Sequence, residues 1–372
     1  MRAWKYLTVF LPACMAVLAF TQHGWWTYAV VLFSFGVIPL LELCIPTNSR
    51  NLTAEEEKLA LADPVYSWLL YLVVPVQWGL LIWYFFAVQE SGLRWWEILG
   101  RTWSMGTLCG VYGINVAHEL GHRAAKVEQW LAKLLLLSSH YMHFFIEHNR
   151  GHHKHVATPL DPATARWGES LYAFWVRSIV MSYLSAWKLE ARRLHRHGLS
   201  TWSWRNEMFW FTAIQLGALL LVGFCIHPWA ALAWMASAVI GILLLETINY
   251  IEHYGLLRKK VHSESYERCL PTHSWTSNHL LGRLMLFELS RHSDHHYRAS
   301  RKYQILMHHP DSPEMPTGYP GMMLVAMVPP VWFGMMHHRL RQYEHRTIPV
   351  KSTETFRESE TQPRISQLKS SQ

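Results

Sequence analysis

The sequence predicts an all-α integral membrane protein: six transmembrane helices carrying a histidine-rich helical cap on one side. Three observations point there. Hydrophobic residues make up 51% of the chain and charged ones only 16%, against about 25% charged in a soluble domain. Twenty tryptophans in 372 residues suit a chain with membrane–water interfaces, where Trp and Tyr concentrate. The apolar residues gather in long runs, and the polar remainder is rich in histidine. The formal net charge of +8 does not point to nucleic acid, because the basic residues lie between the apolar runs, as in a multi-pass membrane protein.

From Tyr6 to Leu41 there is no Asp, Glu, Lys or Arg, which is length enough for two spans. The break at Thr21-Gln22-His23-Gly24, followed by Trp25-Trp26, makes them a helical hairpin, about residues 6–21 and 25–43. Residues 44–65 form a polar connector. Asp63-Pro64 signals a helix start, and a third span follows at about 66–88, with a kink expected at Pro75. The fourth, about 102–117, runs straight into His118. Residues 128–146 read as a helix lying against the interface, and a basic stretch contains Arg192, Arg193 and Arg196. Spans five and six, about 209–226 and 229–250, are separated by His227-Pro228. The cap then comprises 118–208 and 251–344, giving one domain over 1–344. Residues 345–372, rich in Ser, Thr, Glu, Gln and Lys, are expected to be disordered.

Charge asymmetry orients the bundle. Arg2, Lys5, Arg50, Lys58, the basic residues of 118–208 and Arg258-Lys259-Lys260 all fall on one side. By the positive-inside rule that side is cytoplasmic, both termini included. The five cysteines contain no C-x-x-C pair, so neither a disulfide framework nor a thiolate metal site is expected.

The chemistry lies in histidine. His118-Glu119-Leu120-Gly121-His122 places two imidazoles four residues apart, on one helical face. His148, His152 and His153 follow in Glu147-His148-Asn149-Arg150-Gly151-His152-His153. His253 ends the sixth span, and Arg291-His292-Ser293-Asp294-His295-His296 carries three more, expected on one helical face toward one metal. Nine imidazoles exceed what one ion needs and suit a two-metal centre with four or five nitrogens each. Zinc, copper, nickel and iron all accept such ligands. Glu119, Glu147, Glu252, Asp294 and Asp161 are the acidic residues expected to orient imidazole N–H groups. His273 is the reserve ligand; His140, His143 and His155 are expected in packing or supporting roles, and His195, His197, His337 and His338 at the surface.

At these residues the chain resembles the membrane-bound alkane 1-monooxygenases, part of the histidine-rich di-iron family that also includes fatty acid desaturases and xylene monooxygenase. The matching segments are the three clusters above, the last within Leu289 to His296, together with Asn249-Tyr250-Ile251-Glu252-His253-Tyr254-Gly255-Leu256. Asp161-Pro162-Ala163-Thr164 to Gly168-Glu169-Ser170 and Pro316-Thr317-Gly318-Tyr319-Pro320-Gly321 are also similar. Arg123, Ser290 and Tyr297 depart from the usual Lys, Gln and Ala. The resemblance implies two iron ions held by the nine histidines as catalytic ligands, and terminal hydroxylation of n-alkanes by O2 to primary alcohols. It also implies electrons from rubredoxin and its reductase, and a bacterial cytoplasmic (inner) membrane location. An apolar channel with Phe33, Phe35, Trp68, Trp78 and Trp83 as candidate wall residues would present the chain end to the metals. Arg192, Arg193 and Arg196 are the candidate docking surface for the acidic donor. Hydroxylation of aromatic methyl groups is the main alternative. An intramembrane zinc metalloprotease using His118, Glu119 and His122, a non-catalytic metal sensor or transporter, and acyl-chain desaturation are more distant ones.

Overall fold

The computed structural model describes residues 3–262 and 265–347. Most of the expected tail, 348–372, therefore lies outside the described residues. Apolar runs that must satisfy their own backbone polar groups in lipid become helices. Five are long and apolar enough to cross a membrane: α1 (Ala3–Thr21), α2 (Gly24–Cys44), the helix Val65–Ala87, Glu207–Cys225 and Pro228–His253. These reproduce five of the six expected spans, and the helix Val65–Ala87 continues through Pro75. In chain order, α3 (Ala54–Ala62) precedes α4 (Val65–Ala87). It lies within the expected connector, and its Thr53–Glu56 capping box shows why it forms there.

The expected fourth span is α5, residues 95–121, and begins seven residues early. It comprises Trp95–Leu108, a π-helical segment Cys109–Ile114, and Asn115–Gly121. Its early start is set by Glu97, whose carboxylate accepts from the Arg94 and Gly24 amides (2.8 and 2.6 Å). Arg101, which looks like a boundary in the sequence, is instead fully buried. Its guanidinium donates to the carbonyls of Ala19, Gln22 and Ala87 and to Glu90, fastening the ends of α1 and α4 to α5.

The next helix is α6 (Lys126–Ser138). The helix expected over 128–146 breaks here, because His140 takes φ +49°, outside the right-handed helical region. It resumes as α7, residues 144–155, whose middle turn His148–His152 is π-helical. The basic stretch is part of α8 (Leu171–Arg196), a 26-residue helix that charge alone does not reveal. Then come α9 (Glu207–Cys225) and α10 (Pro228–His253), followed by a two-stranded hairpin, β1 (Lys260–His262) with β2 (Ser265–Tyr266). Apart from an isolated bridge between Thr276 and Glu314, this small hairpin is the one departure from an all-α chain among the described residues. Short helices α11 (Leu280–Met285), α12 (His292–Tyr297) and α13 (Tyr319–Ala326) complete the compact unit, which ends at Pro329. The last helix, α14 (Pro329–Thr347), carries the chain into a second unit starting at Pro330.

Packing ties the cap to one end of the bundle. The Tyr6 hydroxyl donates to Glu288 (2.6 Å), the Gly282 amide to Glu42 (2.7 Å) and the Tyr303 hydroxyl to the Tyr66 carbonyl (3.0 Å). The start of α1, the end of α2 and the start of α4 thus meet the same cap. At the centre, α5 and α10 approach closely: a Cβ on Gly241 would lie 2.7 Å from Cys109 Cβ and 2.9 Å from the Gly110 amide. Small residues permit such contact between membrane helices. The most exposed tryptophans include Trp25, Trp26 and Trp95 at the far end and Trp68, Trp130, Trp202 and Trp204 at the cap end. All five cysteines are free.

Candidate metal centre

The cap end of the bundle gathers nine histidines into two groups. His118, His122, His148, His153 and His295 form one, His152, His253, His292 and His296 the other, with ligand nitrogens in each within 4.8 Å of one another. His118 sits on the last turn of α5 and His122 just beyond it; His253 is the last residue of α10. α7 and α12 each feed both groups.

That sharing follows from helix geometry. On an α-helix His148 and His152, four apart, face the same way. The wider π turn at His148–His152 instead brings His148 and His153 together at 3.0 Å between Nε2 atoms and sends His152 to the second group. On α12, His292 and His296 stay together while His295 joins the first group. The expectation that His292, His295 and His296 converge on one metal is therefore corrected: α12 stands between two sites.

The inward-facing atoms are all Nε2. His118 and His295 approach to 2.9 Å, His122 and His148 to 3.1 Å, His152 and His296 to 3.1 Å, and His253 and His292 to 3.1 Å. His153 Nε2 lies within 3.1 Å of the Nε2 atoms of His122, His148 and His295 at once. A neutral imidazole has one N–H, so these contacts cannot all be hydrogen bonds. A cation fits: metal–imidazole bonds of about 2.0–2.1 Å leave adjacent ligand nitrogens roughly 3 Å apart. Burial also lowers the pKa values of His148, His153, His292, His295 and His296 well below the ordinary histidine value, with help from neighbouring imidazoles. They are thus neutral and ready to bind at neutral pH.

The five acidic residues divide sharply. Asp161 accepts from His152 Nδ1 at 2.9 Å, from the Thr164 hydroxyl at 2.6 Å and from the Ala163 amide at 3.1 Å. Burial pushes its pKa up, but His152 and Thr164 outweigh this and hold it low. Glu119 instead accepts from Arg123 (2.8 Å) and the Tyr303 amide (3.3 Å). That engagement also deprives a zinc-protease reading of its general base. Asp294 binds Arg301, the Met307 amide and His309. Buried Glu147 leaves Oε1 without a hydrogen-bond partner. Glu252 lies with Oε2 3.1 Å from His292 Nε2, and its Oε1 accepts from Tyr319 at 2.7 Å.

An apolar cavity opens beside the histidines. At one end it meets His118, His148, His292, Asn115, Asn249 and Glu252; its walls are apolar, including Val111, Leu245, Ile248 and Met323. Its lining reaches Thr107 on α5, eleven residues before His118, or roughly 16 Å at 1.5 Å per residue. Of the aromatic residues expected to wall a channel, Phe35 lines it; Phe33, Trp68, Trp78 and Trp83 do not, and Trp68 is 66% exposed.

Other histidines have other contacts. The His140 ring packs on Trp234 and the His143 ring on Tyr141 and Tyr183. His273 accepts from the Leu270 amide and pairs with Glu267, apart from both groups. Arg193 is engaged by Glu190 (2.5 Å), while Arg192 and Arg196 are exposed. Sequence reasoning missed Asn115, Asn249 and Tyr319 as site residues. Two of them lie inside matching motifs, Asn249 beside His253 and Tyr319 in Pro316 to Gly321.

Comparison with known proteins identifies the family. The fatty acid desaturase family profile matches residues 93–326. Alkane 1-monooxygenase 1 of Pseudomonas aeruginosa is 41% identical over 91% of this chain and 90% of its own length. Alkane 1-monooxygenase 2 of the same organism is 42% identical over 86% and 85%. The xylene/toluene monooxygenase hydroxylase component of Pseudomonas putida is 28% identical over 92% and 89%. The chain belongs to the fatty acid desaturase family and, within it, to the alkane 1-monooxygenases.

Proposed function

We propose that this protein hydroxylates n-alkanes at a terminal methyl group, using two irons held by its nine clustered histidines. The observation that carries the reading is the apolar cavity ending at His118, His148 and His292. The reaction is RCH3 + O2 + 2 electrons + 2 protons giving RCH2OH + H2O. The irons, when bound, supply O2 activation and attack on the C–H bond.

The chain supplies position. A cavity lined by Val111, Leu245, Ile248 and Met323 binds an alkane by removing its surface from water, at roughly 0.8 kcal/mol per methylene. That binding energy holds one chain end against the histidine groups, and such placement is what selects a strong terminal C–H bond over weaker internal ones. Asn115, Asn249 and Glu252 are the polar side chains beside the histidines at that end. Asp161 keeps the His152 Nδ1 proton in place, so that Nε2 presents its lone pair inward.

Electrons arrive from outside, because the sequence carries neither a nucleotide-binding fingerprint nor a thiolate pair. We assign rubredoxin as the donor and the bacterial cytoplasmic membrane as the location, with both termini and the cap on the cytoplasmic face. The distribution of basic residues supports that orientation. Exposed Lys154 adjoins His153, and Arg258 donates to the Lys154 carbonyl, which puts positive charge where the histidines lie closest to solvent.

The test uses membranes containing the protein, reduced rubredoxin, O2 and n-octane, with His292→Ala as control. The reading expects 1-octanol from the wild type alone. Iron-loaded, reduced protein that yields no alcohol from octane, longer alkanes or xylene would overturn it.

A further inference from the structure

We propose that Glu252 is itself a metal ligand, the fifth donor of the second site, rather than a carboxylate that orients an imidazole from behind. The inference rests on the two-iron reading above.

Two histidines carry the comparison. His152 has Nε2 facing His296 and Nδ1 hydrogen-bonded to Asp161 at 2.9 Å. That is how an orienting carboxylate works: it takes the proton on the far side of the ring. Glu252 does the opposite. Its Oε2 lies 3.1 Å from His292 Nε2, the same atom that lies 3.1 Å from His253 Nε2. The far nitrogen, His292 Nδ1, is buried without a hydrogen-bond partner. Glu252 therefore stands on the metal side of the ring, at the spacing of roughly 3 Å that neighbouring ligands of one ion adopt.

The donor count points the same way. The first group offers five imidazoles and the second four; Glu252 stands outside that tight set of four but against His292, and a small swing of its Oε2 onto the ion would bring the second site to five. The carboxylate is also held in place: Tyr319 donates to Oε1 at 2.7 Å, and the Trp275 amide anchors the Glu252 carbonyl at 2.8 Å. Glu252 is 1% exposed, and a buried carboxylate without a cation beside it is costly. Among the described ion pairs Glu252 takes part only in the one with His292, and none joins it to Lys or Arg. Two sites then differ in charge as well as number: five neutral nitrogens at one, four nitrogens and an anion at the other. Because Glu252 and His292 also line the alkane cavity, the anionic site borders the substrate.

The experiment is Mössbauer spectroscopy of purified protein loaded with iron-57, together with iron release to a chelator. Wild type is expected to show two doublets of equal area. In Glu252→Gln, one doublet should change and that iron should bind about 100-fold more weakly, while the other doublet stays as it was. Tyr319→Phe keeps the carboxylate and should shift the same doublet with both irons retained, which preserves the test should Glu252→Gln fail to fold. Two doublets unaltered in both variants would overturn the assignment of Glu252 alone. One iron per chain in the wild type would overturn the two-iron reading, and this assignment with it; two irons sharing a single doublet would overturn the assignment alone.

Discussion

Replacing Asp161 with Asn changes one oxygen to an NH2 and exposes how the site works. In the wild type, Oδ2 accepts from His152 Nδ1 and from the Thr164 hydroxyl, while Oδ1 accepts from the Ala163 amide. With the amide oxygen kept on Ala163, the new NH2 faces His152 Nδ1 as a donor. His152 can answer only by moving its proton to Nε2, the atom facing His296 at 3.1 Å, where a metal must bind. The fold changes little, since the side chain keeps its size. Loss of such a supporting carboxylate costs roughly 10–100-fold in metal affinity, equivalent to about 1.4–2.8 kcal/mol. The assay is competition for iron against a graded series of chelators. One of two irons should become easier to remove by that factor, with turnover falling in parallel. Unchanged affinity at both sites would refute the role of Asp161 and the Nε2 assignment of His152.

Thr107→Phe fills the cavity end farthest from the histidines, so activity on long alkanes should fall about tenfold against short ones, the cost of an overpacked wall; product yields across an alkane series check this. Glu288 is buried against Arg283 and Arg291. Burial raises its pKa, but the two arginines outweigh that and leave it below the ordinary 4.5. Its stabilisation is therefore complete above pH 4.5 and is lost as the pH falls through the lowered value. Glu288→Gln should lower stability at neutral pH by about 3 kcal/mol and flatten that acid limb, as read by thermal unfolding in detergent. Lys154→Glu should raise the KM for rubredoxin and lessen its salt dependence with kcat unchanged; an unaltered KM would move the docking surface away from His153.

Much of this was legible in the sequence because the signals were periodic or chemical. Uncharged runs located five spans to within a few residues, and histidine spacing marked eight members of the two groups, with His253 added as a lone histidine at the end of the sixth span. The division between those groups was not legible. It depends on the π turn at His148–His152, and an α-helical reading assigns His152 to the wrong neighbour. The start of α5 was hidden for a different reason: Arg101 reads as a boundary until the four acceptors around its buried guanidinium are visible. The acidic residues show the same limit. Adjacency in sequence suggested that Glu119 and Asp294 support ligands, yet tertiary contacts commit them to Arg123 and Arg301, and only Asp161 holds a ligand from behind.

The most direct measurement is single-turnover oxidation of n-octane under 18O2, with the position and label of the alcohol read by mass spectrometry. The account predicts 1-octanol carrying one oxygen-18 atom, formed only by protein loaded with iron and reduced. An unlabelled alcohol, or a product spread over the internal carbons, would contradict an oxygen-activating metal centre placed at the end of an apolar cavity.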